Sequence, residues 1–140
     1  MPVNLTPLTQ ALAALERAIA VVRQAQADGS PPNVQEVLQA GLIQSFEFTY
    51  ELSWKTIRRV LGDELGAMTV DGLSRRELYR LAQQHLLLTD VERWMDYHQA
   101  RNLTSHVYDQ VLAASIAATS AEFFGDADDL LDRLRARQPQ

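Results

Sequence analysis

At 140 residues, with 46% hydrophobic and 22% charged side chains, the chain has the size and composition of one globular domain, read here as 1–140. It contains no cysteine, which excludes a disulfide framework and any thiolate metal site. The apolar run from Ala11 to Val22 is broken by Glu16 and Arg17, so it is no secretory signal. No stretch approaches the roughly 20 apolar residues of a membrane span; the expected home is cytoplasmic, with no membrane partner. A net charge of −5 argues against a general nucleic-acid coat, and DNA is not an expected partner. RNA stays open as a substrate if positive groups cluster locally, and of the 13 basic residues all but Lys55 are arginine.

In chain order, Leu5, Leu8, Leu12, Leu15, Ile19 and Val22 follow a 3–4 spacing that predicts an amphipathic helix. Thr6-Pro7 starts it and Asp28-Gly29-Ser30-Pro31-Pro32 stops it. Asn33 is placed to cap a second helix running to about Leu65, with Val34, Leu38, Leu42, Phe46, Tyr50, Trp54, Ile57 and Leu61 inward. Gly41 inside that helix points to close packing or a weak point. Gly66 to Gly72 reads as a loop. Two capping boxes follow, Ser74-x-x-Glu77 and Thr89-x-x-Glu92. The first opens a helix burying Leu78, Leu81, Ala82, His85 and Leu86; the second opens one burying Val91, Trp94, Met95 and His98. A last long helix is expected from Thr104 or Ser105 to Phe124, with Val107, Val111, Leu112, Ser115, Ile116 and Thr119 inward. Beyond Gly125, Asp126 would cap a short charged helix over 126–137. No strand pattern is present. The fold class is all-α, an antiparallel up-and-down bundle of four to five helices.

Chemistry concentrates in Arg101-Asn102-Leu103-Thr104-Ser105-His106-Val107-Tyr108-Asp109. Arginine holds a phosphate with a rigid fork of donors, and histidine moves protons near pH 7. If Thr104 opens the last helix, His106 falls in its first turn, where free N–H groups and the helix dipole favour an anion. The plainer alternative is a helix junction in which both side chains bond orphan carbonyls. Glu47, Glu51 and Lys55 share a helix face; the glutamates are either partners of Arg101 (or of another protomer) or part of a solvated stripe. Tyr50 and Trp54 read as core or interface more readily than as a base-stacking platform. His85 and His98 read as core histidines, although His98 lies on the face of Arg101 and could line the same cleft. Three histidines at these spacings make no zinc pattern, so no metal and no cofactor are expected.

Arg101-Asn102-Leu103-Thr104-Ser105-His106-Val107-Tyr108 resembles the Arg-x4-His-x-Tyr signature of HepT-like proteins in the HEPN superfamily. The block Phe46-Glu47-Phe48-Thr49-Tyr50-Glu51-Leu52-Ser53-Trp54-Lys55 is similar to the Phe-Glu-x-x-x-Glu-x-x-Trp-Lys helix of its nucleotidyltransferase substrate-binding branch. Leu88 and Trp94 keep the spacing to Arg101, and the likeness spans about 8–124. The resemblance implies a helical homodimer in a two-gene toxin–antitoxin module whose antitoxin is a minimal nucleotidyltransferase. It also implies metal-independent cleavage of RNA, tRNA among the candidates, with Arg101, His106 and Asn102 as catalytic residues, Asn102 positioning the site or the phosphate. Tyr108 corresponds to the tyrosine that such a nucleotidyltransferase adenylylates. On the shared helix faces noted above, Glu47, Glu51 and His98 would be the residues supporting that site. The alternative is a non-catalytic partner subunit that presents substrate to the nucleotidyltransferase. The chain itself lacks a Gly-Ser followed by a strand and paired aspartates, so it is not the transferase.

Overall fold

A computed structural model describes residues 3–106 and 109–137. Within them the chain forms α1 (Thr6–Ala27), α2 (Pro32–Leu65), α3 (Ala67–Val70), α4 (Arg75–Gln84), α5 (Val91–Asn102), a 3-10 turn (Thr104–His106) and α6 (Gln110–Arg137), with no strand. The leucine stripe of α1 is buried as the spacing predicts. A four-residue connection folds α2 back along it, and the Thr49 hydroxyl reaches the Ala11 carbonyl across the pair. At 34 residues α2 spans about 51 Å and is the spine against which every other helix packs. The last turns of α6 lie beside Thr9 through Arg135 and beside Glu64 through Arg137. Thus α6 runs antiparallel to α1 and along the direction of α2. The short α4 and α5 close the remaining side.

The core is aromatic at its centre. Phe123 of α6 meets Phe46 and Tyr50 of α2 and Trp94 and Tyr97 of α5, with ring centroids 5.2–6.0 Å apart, mostly edge-on. Such geometry contributes about 0.5–1.5 kcal/mol per pair beyond area burial.

Several local expectations are corrected. Pro31 rather than Asn33 precedes α2, without a side-chain cap. The Ser74/Glu77 box is formed as expected, but α5 is capped by Asp90, whose carboxylate accepts from the Arg93 N–H, not by Thr89. Leu86 sits at positive φ and is 71% exposed, while Leu87 and Leu88 turn inward. Val34 is exposed too. A short helix, α3, occupies the expected loop. Gly41 faces open space, so it does not mark close packing.

The largest difference lies at the last helix. Thr104–His106 is a separate 3-10 turn, and Asp109 caps α6 by accepting from the N–H groups of Val111 and Leu112. His106 therefore does not occupy the first turn of that helix. Nor does the helix stop at Phe124: it passes through Gly125, because Ala127, Leu130, Leu131 and Leu134 continue the buried stripe of Phe123. Asp126 is no cap; it binds Arg93 and the Tyr97 hydroxyl. The inward face of α6 begins with Ala113, Ile116, Ser120 and Phe123, whereas Val111 is 82% exposed. Val107 lies outside the described residues. Among the described residues no helix is long and apolar enough to cross a membrane.

Candidate functional site

The polar cluster assembles where the middle of α2, the start of α4 and the end of α5 meet. Glu47 and Glu51, one turn apart on α2, both reach Arg101 in the last turn of α5. Arg101 Nε donates to Glu51 Oε1 at 3.1 Å, and Nη1 lies 3.5 Å from Glu47 Oε2. The reading of these glutamates as partners of Arg101, rather than a solvated stripe, is the one the geometry supports. With 30–40% of each side chain exposed, the pairs contribute about 0–1 kcal/mol each to stability. Their larger effect is to fix where the guanidinium points. The contacts among the described residues engage Nε and Nη1.

Thr104 completes this half. Only 6% exposed, its hydroxyl donates to Glu47 Oε2 at 2.5 Å, lies 2.8 Å from the Arg101 carbonyl and can accept from Arg101 Nη1 at 3.4 Å. The 3-10 turn is thereby tied to both α2 and α5.

The second half grows from Tyr50 and Trp54. The Trp54 indole N–H donates to Glu51 Oε2 at 3.2 Å, and the Arg75 guanidinium stacks 3.6 Å from the ring centroid. Arg75, at the first position of α4, turns one Nη1 toward two acceptors: the Tyr50 hydroxyl at 3.1 Å and His98 Nδ1 at 3.3 Å. Tyr50 in turn lies 3.1 Å from His98 Nδ1 and 2.5 Å from the Tyr79 hydroxyl. Asn102 approaches the other ring nitrogen of His98, at 3.5 Å. Burial pushes the Tyr79 and Tyr50 phenols up, so both stay protonated at neutral pH. The His98 pKa is lowered from 6.5, first by desolvation and then by the charges of Arg75 and Arg101, against an opposing pull from Glu51. The imidazole is neutral at pH 7.

His106 is exposed at the close of the 3-10 turn, its N–H bonded to the Leu103 carbonyl at 3.0 Å and its own carbonyl accepting from the Asp109 N–H at 3.1 Å. Asn102 is exposed on the last turn of α5. Tyr108, the expected modification site, lies outside the described residues. His85 sits apart, its carbonyl accepting from Arg137 Nη1. Among the described residues no three His, Asp or Glu side chains are placed to hold a metal ion. Sequence reading missed Arg75, Tyr79 and the bridging role of Thr104. Arg75 and Tyr79 share a face of α4 as Tyr50 and Trp54 share one of α2, yet nothing in either spacing says that the two faces meet.

The family model for nucleotidyltransferase substrate binding protein-like chains matches residues 3–136. The chain belongs to this family. A curated protein of Haemophilus influenzae, named probable ribonuclease HepT, is 35% identical over 136 residues, covering 96% of this chain and 93% of that one. A solved structure from the same species, described as the substrate-binding domain of a nucleotidyltransferase, superposes with a TM-score of 0.88 at 34% identity, covering 94% of this chain and 99% of that chain. A crystal structure from Thermus thermophilus matches with a TM-score of 0.64 and 28% identity, over 86% of this chain and 98% of its own.

Proposed function

We propose that this family member is a HepT-like, metal-independent endoribonuclease that works as a homodimer beside a separate nucleotidyltransferase. The observation that supports the reading best is the convergence of Glu47, Glu51 and Thr104 on Arg101, which presents a pre-oriented guanidinium one helical ending away from His106. The name of the Haemophilus relative supports the ribonuclease class, and the family description supports the nucleotidyltransferase partner. In the reaction, His106 takes the proton of a ribose 2′-OH while that oxygen attacks the adjacent phosphorus. The P–O bond to the next nucleotide breaks, and the leaving oxygen takes its proton from an imidazolium, such as that of a second copy's His106. Arg101 stabilises the charged phosphorane, and Asn102 orients the phosphate. Adenylylation of Tyr108 by the partner, with pyrophosphate leaving from ATP, would add negative charge two residues after His106 and repel RNA.

A second reading, a non-catalytic module that presents substrate to the nucleotidyltransferase, is favoured by the fact that Arg101 already carries two carboxylate partners. One experiment separates them: incubation of AMP-free protein with a defined RNA pool that includes tRNA, in EDTA, alongside His106→Ala. Cleavage by the wild type that is lost in the variant is expected. Intact RNA with both proteins would discard the nuclease reading in favour of the presenting module.

A further inference from the structure

Behind Asn102, the chain Tyr79–Tyr50–His98, buried at its inner end, and its anchor Arg75 have no task in that reaction. Donors and acceptors along it can be assigned by elimination. Arg75 has only donors to offer, and one Nη1 faces both the Tyr50 oxygen and His98 Nδ1. A proton on Nδ1 would confront that guanidinium at 3.3 Å, so Nδ1 is the acceptor and the imidazole proton resides on Nε2. The Tyr50 oxygen then accepts from Arg75 and from Tyr79, and its own proton goes to His98 Nδ1. At the far end, the Asn102 Nδ2 lies 3.5 Å from His98 Nε2, and with a proton on Nε2 two donors would face each other. The carboxamide is therefore assigned the turned-over orientation, an exchange of O and N that keeps its outline: the amide oxygen accepts from Nε2–H and the Asn102 NH2 group points outward.

We propose that His98 is a positioning residue: held in the Nε2–H form by Tyr50 and Arg75, it orients the Asn102 carboxamide so that its NH2 group and Arg101 form one donor pair for a phosphate. The pairing follows from helical spacing, since 98, 101 and 102 occupy one face at i, i+3 and i+4. Every donor along the relay is oriented from the core outward, and Tyr50 and Tyr79 at its inner end are fully buried. The relay is therefore set before any ligand arrives, which is the condition for orienting a phosphate without reorganisation. The groups that face His98 are Tyr50 and Glu51 from α2, Arg75 from α4, and Arg101 and Asn102 from its own helix. Protonation of His98 at acid pH would put a proton on Nδ1, against Arg75, and break the relay.

The inference rests on the phosphate-handling reading of Arg101 and deepens it, and its test has an arm that needs no cleavage. In 15N-labelled protein, long-range 1H–15N correlation should show His98 in the Nε2–H form. Inorganic phosphate should shift the Asn102 side-chain NH2 resonances, and that shift should vanish in His98→Ala while the backbone spectrum elsewhere stays folded. In RNA cleavage, His98→Ala should lose about tenfold to a hundredfold in kcat/KM, the range expected for a misplaced positioning group. His98→Gln, which keeps an amide donor, should recover part of it. The wild-type acid limb should lie below pH 6.5, the ordinary histidine value, and move up in Arg75→Gln. An Nδ1–H form, or Asn102 resonances that respond to phosphate equally in His98→Ala, would overturn the proposal. So would cleavage with an unaltered rate and pH profile in that variant, leaving the nuclease reading intact. The NMR pattern without any cleavage would keep the phosphate subsite and discard the nuclease.

Discussion

At the scale of single residues, Thr104 is where the site's geometry and its stability coincide. Arg101 and its two glutamates are partly exposed, so their attraction is screened and their net contribution is small. Thr104 is buried, and its hydroxyl joins Glu47 to the backbone of the α5 end. Removing it leaves the half-exposed Glu47 carboxylate to water and takes a donor from beside the Arg101 carbonyl, where Thr104 itself is buried. Thr104→Val preserves shape and should cost about 1–3 kcal/mol in urea denaturation, with Thr104→Ser losing less. A stability equal to the wild type's for Thr104→Val would mean that water replaces the hydroxyl without penalty and that the 3-10 turn is held by other contacts.

At the scale of helices, the stability of α2 depends on packing at one end and on propensity at the other. Its buried stripe runs from Leu42 to Leu61, but its first two turns leave Val34 and Val37 exposed, and Gly41 faces a groove with nothing within 4 Å of an added Cβ. Gly41→Ala should therefore stabilise the protein by about 1 kcal/mol through helix propensity, raising the thermal midpoint by about 4 °C. A lower midpoint would mean that the added methyl meets atoms in solution and that the space beside Gly41 is not open. The same contrast between propensity and packing explains which helices were legible in the sequence. The 3–4 spacing of α1 and the Ser74/Glu77 box state their own boundaries, since both signals are local. Gly125 reads as a stop only when the residues beyond it are treated as charged surface. Ala127, Leu130, Leu131 and Leu134 bury a further stripe, and that burial outweighs one glycine. Asp90 outcompetes Thr89 as the cap of α5 because a cap is decided by backbone conformation, which neighbouring carboxylate and hydroxyl side chains do not reveal. Within the site, Glu47, Glu51 and Arg101 could be matched by charge across the sequence. The Arg75–Tyr50–His98 cluster could not, because it exists only once α4 is laid against α2.

At the scale of the whole molecule, the core and the site share a wall. Phe123 touches four other rings, and one of them is Tyr50, which carries the hydrogen bonds to Tyr79, Arg75 and His98 on its other end. The α6 aromatic thus packs against a phenol that, among the described residues, α6 does not hydrogen-bond. Truncating a buried phenylalanine costs about 3–5 kcal/mol, a large share of the roughly 5–15 kcal/mol that holds a domain of this kind folded. Phe123→Ala is expected to unfold at markedly lower denaturant, and Phe123→Leu, which refills most of the space, to lose less. The decisive comparison is in the folded Phe123→Leu protein. If the aromatic cage positions Tyr50, the His98 ring resonances should shift there even though residue 123 and His98 lie on different helices. Unchanged His98 resonances together with lost stability would mean that Tyr50 is held by its hydrogen bonds alone. Arg75 and Tyr79 on α4 would then be the sole anchors of the relay, and α6 would serve the fold without reaching the site.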